Sequence, residues 1–405
     1  MQPKLLAARG PVFLAAAAGV AVSTVYAAQP LLVTIGADLG VRPDTIGALV
    51  TVTQLGYGLG LFLLVPLGDL LDRRRLIRLQ FTLLAVALLV TGLARNAVML
   101  FVGLAAVGAL AVVTQSLVAY GAALSDPAVR GRTVGTITTG VVLGILLSRT
   151  TSGILTDLLG WRAVYLISCT VCLAITTQFR RKPPQAGDGG GPTRAERSSA
   201  GAGLTSGYVG LLRSTVGLWG EQGFRESAGR AFFIFASFST LWTSIALPLT
   251  ERGLSHSEIG AFGLIGAAGA LAAGPAGRLA DRGRGTVVTV AGSVLLATSW
   301  LVTAHPLVGL AIGAVLLDLA VQAIHVTNQS MIYRPDAGAR LIGGYMVFYS
   351  LGSATGAIAS TALYERAGWN GVCVLGAAFG IAAVVSSVRA ARRTFRAFRP
   401  CGSCL

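Results

Sequence analysis

Apolar residues fill this chain in long stretches, and short polar clusters interrupt them. Twelve stretches can be traced, beginning with 11–36, 46–67 and 76–94 and ending with 306–332, 341–364 and 368–388. A helix needs roughly 20 residues to cross a hydrocarbon core of about 30 Å, and each stretch is about that long. In lipid every backbone N–H and C=O must find its partner within its own segment, so the stretches are predicted to be transmembrane helices. Glycines recur inside them, as at Gly103 and Gly108 in 97–121 and at Gly140 and Gly144 in 133–159. Small residues let membrane helices approach closely, which suits a tightly packed bundle.

The polar interruptions carry a second pattern. "GDLLDRRRL", from Gly68 to Leu76, holds five charges in nine residues between two apolar stretches. It recurs as "GRLADRGRG", from Gly277 to Gly285. "IGA" at Ile46–Ala48 returns at Ile259–Ala261, "DPAVR" at Asp126–Arg130 as "DAGAR" at Asp336–Arg340, and "GWRAV" at Gly160–Val164 as "GWNGV" at Gly368–Val372. All four pairs have nearly the same separation, so the chain reads as two copies of a six-helix unit. An even number of crossings gives both copies the same orientation, a parallel repeat about an axis along the membrane normal. The stretch between the copies is rich in Pro, Gly, Ser and Arg and reads as a tether. A lipid-surface segment around Leu211–Trp219 is the alternative. The expected organisation is therefore 1–179 as an amino-terminal six-helix bundle, 180–228 as a cytosolic linker, 229–388 as a carboxy-terminal six-helix bundle and 389–405 as a basic cytosolic tail.

Composition excludes a soluble reading. Hydrophobic residues make up 54% of the 405 and charged ones 12%, whereas soluble domains run near 45–50% and about 25%. A net charge of +16 raises nucleic acid as a partner, but the placement of the cations argues against it. With the amino terminus in the cytosol, one side of the membrane receives most of the 32 Lys and Arg, and the other only Arg42, Arg95, Arg162, Arg252 and Arg366. That is the positive-inside bias, which sets orientation. Both termini and the central linker are thus expected in the cytosol of a multi-pass plasma-membrane protein of bacterial type. The first stretch continues to Ile35, longer than the core of a cleaved leader. Cys401 and Cys404 form a "CGSC" tail with no second ligand pair nearby, and read as incidental. No metal cluster, phosphate-binding loop or nucleophile–base pair is visible, so no cofactor and no enzymatic activity are expected.

Charges inside membrane spans cost about 2.5–3.5 kcal/mol each on insertion scales, and mark function by default. Asp318 lies near the middle of 306–332 and begins a stripe with Gln322, His325 and Gln329. Spacings of four, three and four place these on one helix face. Asp318 and His325 are the candidates for proton coupling, and imidazole, with an unperturbed pKa of about 6.5, suits a proton carrier. Interhelical hydrogen bonding is the plainer alternative for the stripe. Arg149 lies within 133–159. Three roles stay open for it: pairing with Asp318, binding an anionic substrate group, or bonding to carbonyls of its own half. Tyr26, Gln29, Gln54, Tyr57, Gln115 and Trp242 add aromatic rings and amides that suit an amphiphilic organic substrate.

The duplicated loop resembles the signature Gly-x-Leu-x-Asp-Arg-x-Gly-Arg-x of the major facilitator superfamily. The second copy matches at Gly277, Leu279, Asp281 and Arg282, with Gly283 and Arg284 following one position early, and the first has Arg74 in place of that Gly. "YAAQPLL", "TVTQLGYGLGLFLLVPLGD" and "LLDLAVQ…NQS" resemble bacterial drug or sugar efflux members. The resemblance implies twelve transmembrane helices in two parallel six-helix repeats around a central cavity that the tenth helix lines. It implies that Asp72 and Asp281 help to latch one conformation, in loops that also contain Gly68, Arg73, Gly277 and Arg282. It implies a small-molecule substrate, no nucleic acid, and a chain working as a monomer in the bilayer. The glycine-rich antiporter motif of the fifth helix keeps Gly140 and Gly144, but has Ile145 for its Pro and Leu147 and Ser148 for its later glycines. The first helix has no carboxylate, unlike several drug antiporters of the family. Proton-coupled efflux of small amphiphilic compounds is the leading expectation. Proton-coupled import of a small metabolite and a non-transporting sensor share the same features.

Overall fold

The computed structural model describes residues 3–126, 128–180, 204–305, 307–332 and 338–397. Residues 181–203 of the central linker and the end of the tail, with Cys401 and Cys404, lie outside the described residues, as does Asp336 of the repeated "DAGAR". Among the described residues there are helices and turns and no strand. Among the described residues, ten helical segments are long and apolar enough to cross a membrane. Two of these, His256–Thr303 with 48 residues and Leu341–Arg393 with 53, would reach about 70–80 Å at 1.5 Å per residue, more than twice a hydrocarbon core. Each is broken by a glycine with positive φ, Gly283 at 75° and Gly368 at 61°.

We number the helices in chain order. The amino-terminal set is α1 (Pro3–Tyr26), α2 (Leu32–Leu39), α3 (Ala48–Leu63), α4 (Leu67–Leu70), α5 (Arg73–Gly92), α6 (Ala97–Ala111), α7 (Val113–Leu124), α8 (Arg130–Leu159) and α9 (Trp161–Arg180). There follow α10 (Leu204–Leu218), α11 (Gln222–Ser244), α12 (Ala246–Glu251), α13 (His256–Phe262), α14 (Ala268–Leu279), α15 (Gly285–Thr303), α16 (Leu307–Ile332) and α17 (Gly338–Ala397). The chain folds as two compact units. The first comprises Met1–Val216 and Ile245–Leu264, and the second Gly217–Ser244 and Ile265–Leu405. A segment from the later part of the sequence, α12 and α13, thus belongs to the first unit.

Close approach holds the first unit together. A Cβ on Gly140 would overlap the carbonyl of Ala15, and one on Gly144 the carbonyl of Gly19. Backbone meets backbone where α8 crosses α1, and only glycine permits this. Two turns illustrate how little chain joins some helices. Gly160 (φ 81°) alone separates α8 from α9, and Gly368 divides α17. A Trp follows each glycine and ties the turn to another helix end. The Trp161 indole N–H donates to Asp38 Oδ2 at 3.0 Å, and that of Trp369 donates to the Thr303 carbonyl at 2.9 Å. The paired "GW" dipeptides are therefore a structural device used twice.

The stretch read as a plain tether contains α10, whose Tyr208 hydroxyl donates to the Leu63 carbonyl at 2.7 Å. The helix overlaps the segment around Leu211–Trp219 that the sequence offers as the alternative to a plain tether. Next to it, Trp219 packs on a core of Phe224, Ala228, Ala231, Ile332, Leu341 and Tyr345 in the second unit.

The α1–α8 crossing gives a direct test. Gly140→Val should lower stability by about 1–3 kcal/mol, the usual cost of overpacking. Gly131→Ala, in the same helix with open space at its Cβ, should leave it unchanged or slightly raised. Thermal unfolding of the detergent-solubilised protein measures both, and equal stability of the two variants would refute the crossing.

Candidate functional site

Three side chains that are charged at neutral pH are buried among the described residues: Arg149, Arg230 and Asp318. Each stands within a polar cluster of its own unit, and each cluster is a candidate site.

In the first unit the cluster begins where α1 breaks. Pro30 has no N–H to give the carbonyl of Tyr26, so the helix cannot continue. Gln29, Pro30 and Leu31 form a 3-10 turn instead. Gln29 is buried there, and its Oε1 accepts from Arg149 Nε at 2.8 Å. The Arg149 guanidinium also lies 5.7 Å from the ring centre of Tyr26. A neutral amide and a ring face thus share the cation. Gly263 lets α13 close over it, since a Cβ there would come within 2.8 Å of Arg149 Cδ. Nearby, Tyr57 is buried and hydrogen-bonded to Gln115. Gln54 is buried too, and its Oε1 has no hydrogen-bond partner among the described residues. A groove of about 630 Å³ runs between α1 and α8, lined by Ala15, Gly19, Ser23, Thr139, Leu143 and Thr151 among others. Its volume falls within the usual range for small-ligand sites, and so does its character, mainly apolar with a few hydroxyls.

In the second unit Asp318 is 4% exposed, and its Oδ1 accepts from the indole N–H of Trp242 at 3.0 Å. Gly269 of α14 lies against the Asp318 carbonyl and the Gln322 side chain. One face of α16 therefore brings Asp318 and Gln322 to the same neighbours. His325, two turns on, has both ring nitrogens engaged. Nδ1 is 3.0 Å from the Tyr345 hydroxyl and Nε2 is 3.3 Å from Gln329 Nε2. With Gln329 donating, the neutral ring carries its proton on Nδ1, and a second proton would require the Gln329 amide to turn over. Phe235 meets the ring edge-on at 5.1 Å.

In the sequence Arg230 stands at the very edge of the carboxy-terminal bundle expected over 229–388, where a cation reads as a flank and not as a site. The helix begins at Gln222, so Arg230 is two turns inside and 2% exposed. Its Nε donates to Asn328 Oδ1 at 2.9 Å and its Nη2 to Ser227 Oγ at 3.0 Å. Asn328 also stands beside Tyr345. The polar group of the second unit thus extends from Gln329 and His325 through Tyr345 and Asn328 to a buried cation. One signal was present: Asn328 lies three residues after His325, next to the stripe.

The two signature loops are built differently. Asp72 is the N-cap of α5, its Oδ1 accepting from Arg75 N at 2.7 Å. Arg73 donates to the carbonyls of Gly68 and Ala119, each at 3.1 Å, and Arg74 donates to the Phe179 carbonyl at 3.1 Å. These arginines tie the loop to the ends of α7 and α9. Asp281 and Arg282 are exposed in the turn Ala280–Arg284. Gly277 lies beside Val326.

A further cluster was not foreseen. His256 Nδ1 is 2.7 Å from Asp157 Oδ1, and its Nε2 is 2.5 Å from Thr34 Oγ1. Ser257 N donates to Asp157 Oδ2 at 2.8 Å. A Cβ on Gly153 would overlap the His256 carbonyl. This clamp fastens α13 to the ends of α2 and α8 within the first unit. Among the described residues no group of three His, Cys, Asp or Glu is placed to hold a metal ion.

Comparison with known proteins agrees with this architecture. The chain matches the Major Facilitator Superfamily over residues 13–225 and 227–397, and it belongs to that family. The "Uncharacterized transporter YgaY" of Escherichia coli O157:H7 is 40% identical over 378 residues, covering 91% of this chain and 92% of its own. The "Probable transporter SCO4007" of Streptomyces coelicolor is 32% identical over 390 residues, covering 94% and 87%. Among solved structures, a bacterial homolog of the human lysosomal transporter Spinster, inward-facing and unoccupied, superposes with a TM-score of 0.71 at 15% identity over all of both chains. The human organic anion transporter MFSD10 gives 0.63 at 17% identity over 93% and 98%. The protein is a multi-pass membrane transporter with bacterial relatives, and not an enzyme.

The cap geometry yields a test in which cap and charge separate. Asp72→Ala should cost about 1 kcal/mol of stability, because α5 loses its N-cap, while Asp72→Asn keeps most of it. Thermal unfolding reads both, and a destabilisation by Asn as large as that by Ala would mean the charge, not the cap, holds the loop.

Proposed function

We propose that the protein is a proton-coupled secondary transporter that exports small amphiphilic organic compounds by alternating access, with Asp318 as its main protonation site. The observation that carries this reading is that Asp318 is the one buried carboxylate among the described residues. A carboxylate within a membrane span has a desolvation cost that a proton relieves, which makes such a group a natural coupling site. The indole N–H of Trp242 donates to it and orients it. Coupling requires the conformations to differ in proton affinity, and a site alternately exposed to the two sides provides that difference. His325 is the second coupling candidate. The aromatic and amide residues Tyr26, Gln29, Gln54, Tyr57, Gln115, Trp242, Gln322 and Gln329 are the proposed substrate contacts, with Arg149 available to an anionic group. The groove between α1 and α8 favours an amphiphile over a sugar, because its lining is mainly apolar.

The proposal includes a topology. Twelve crossings in two six-helix repeats, 1–179 and 229–388, leave both termini, the 180–228 linker and the 389–405 tail in the cytosol. The glycine breaks at Gly283 and Gly368 fall where the sequence repeats place loops, which supports counting each long helical segment as two crossings. In the duplicated loops, Asp72 and Asp281 are the proposed latch residues.

Two experiments test these readings. In proteoliposomes, with a transported compound identified from the growth profile of a deletion strain, Asp318→Asn should lose pH-gradient-driven accumulation at least ~100-fold. It should still exchange substrate down its own gradient. Uphill transport at the wild-type rate would sink the assignment and pass the role to His325. A periplasm-active phosphatase fused after Leu405 should be silent in cells, and strong activity would invert the topology.

A further inference from the structure

We propose that a groove between α11 and the last turns of α17 binds the headgroup of an anionic phospholipid, in the leaflet that the topology above makes cytosolic. On α11 the groove is lined by Gln222, Arg225, Glu226 and Phe233, spacings that keep to one helix face. On α17 it is lined by Ala382, Val385, Arg389 and Arg393, likewise a single stripe. The two stripes enclose about 920 Å³.

The lining is divided along its length. Arg225, Arg389 and Arg393 occupy one end, and Phe233, Ala382 and Val385 the other, roughly 10 Å away at 1.5 Å per residue. Val385 is 41% exposed, and Ile381 and Val374, further along the same helix, are 57% and 70% exposed. Apolar side chains that face outward on a membrane helix face acyl chains. The groove therefore joins a cationic end to a strip of lipid-facing surface. A phospholipid has the complementary arrangement, a phosphate at one end and a chain at the other. A free phosphate would use only the first half.

Charge favours an anion. Glu226 is the single acid in the lining, set against three arginines. It accepts from Arg393 at 3.1 Å and from Gln222 at 3.3 Å. Among the described residues, no hydrogen bond or ion pair holds the side chains of Arg225 and Arg389, and both are exposed. The sequence after Arg393 contains no Asp or Glu to neutralise them. Guanidinium groups bind phosphate oxygens in bidentate fashion, and basic pockets between helices on the cytosolic side suit anionic headgroups.

The test measures binding and needs neither substrate nor transport direction, so it stands apart from the functional proposal. The full chain, delipidated in mild detergent, is titrated with phosphatidylglycerol or phosphatidylcholine of the same acyl chains under native mass spectrometry. Phosphatidylglycerol should bind at least ~10-fold more tightly. An arginine near a membrane surface is worth a factor of about 5, so Arg389→Ala with Arg393→Ala should lower phosphatidylglycerol affinity on the order of 20-fold. The double Lys variant should retain most of it, and Arg132→Ala at the start of α8 should change nothing. Equal binding of the two lipids, or an unaltered phosphatidylglycerol affinity in the double Ala variant, overturns the proposal. Glycerol 3-phosphate displacing the lipid at equal concentration would make this a soluble-phosphate site and overturn it as well.

Discussion

Hydrocarbon forms no hydrogen bonds, and the rest of this structure follows from that constraint. It imposes helix on the spanning segments. It also removes the usual drive for helices to associate, because lipid tails are as apolar as leucine. What remains is close contact. The α1–α8 crossing shows how it is obtained: glycines replace side chains with backbone, and dispersion forces act over the shortest distances. The same solvent makes each polar group inside the bundle seek a partner in the protein. Hydroxyls turn back to carbonyls of their own helix, as Thr53 does to Leu49 and Thr240 to Ala236, at 2.8 Å each.

The buried charges show the limit of this economy. Arg149, Arg230 and Asp318 each hold a hydrogen bond to a neutral side chain, Gln29, Asn328 and Trp242 respectively. Taking a charge out of water is costly, and such hydrogen bonds offset part of that cost.

Much of this could be read before the structure. Apolar stretch lengths reveal helices because bilayer thickness fixes them, and the stripe from Asp318 to Gln329 reveals one face of α16 because helical spacing fixes it. Other features depend on contacts far apart in sequence. Nothing local tells that His256 will meet Asp157 and Thr34, since each alone is an ordinary polar residue near a helix end. A basic residue near a span boundary, such as Arg230, looks like a topological flank. The difference of two helical turns depends on where α11 starts, and the mixed composition of Gln222–Gly229 hides that point. The two signature loops look alike in sequence, yet among the described residues only the first is capped and tied to neighbouring helices. Arg73 and Arg74 reach carbonyls whose position no spacing rule supplies.

The single-residue turns at Gly160 and Gly368 have a mechanical consequence. A connection of one residue has no slack. Neither partner in such a hairpin can slide or tilt by much without carrying the other, and the Trp after each glycine pins the corner to a neighbour. The hairpin of α8 with α9, and the two halves of α17, therefore behave as stiff paired levers, not as independent rods. Flexibility is displaced to places with more than one soft joint: the Pro30 break in α1, and the turn around Gly283. Movement in this protein is steered by where the chain was left long enough to bend.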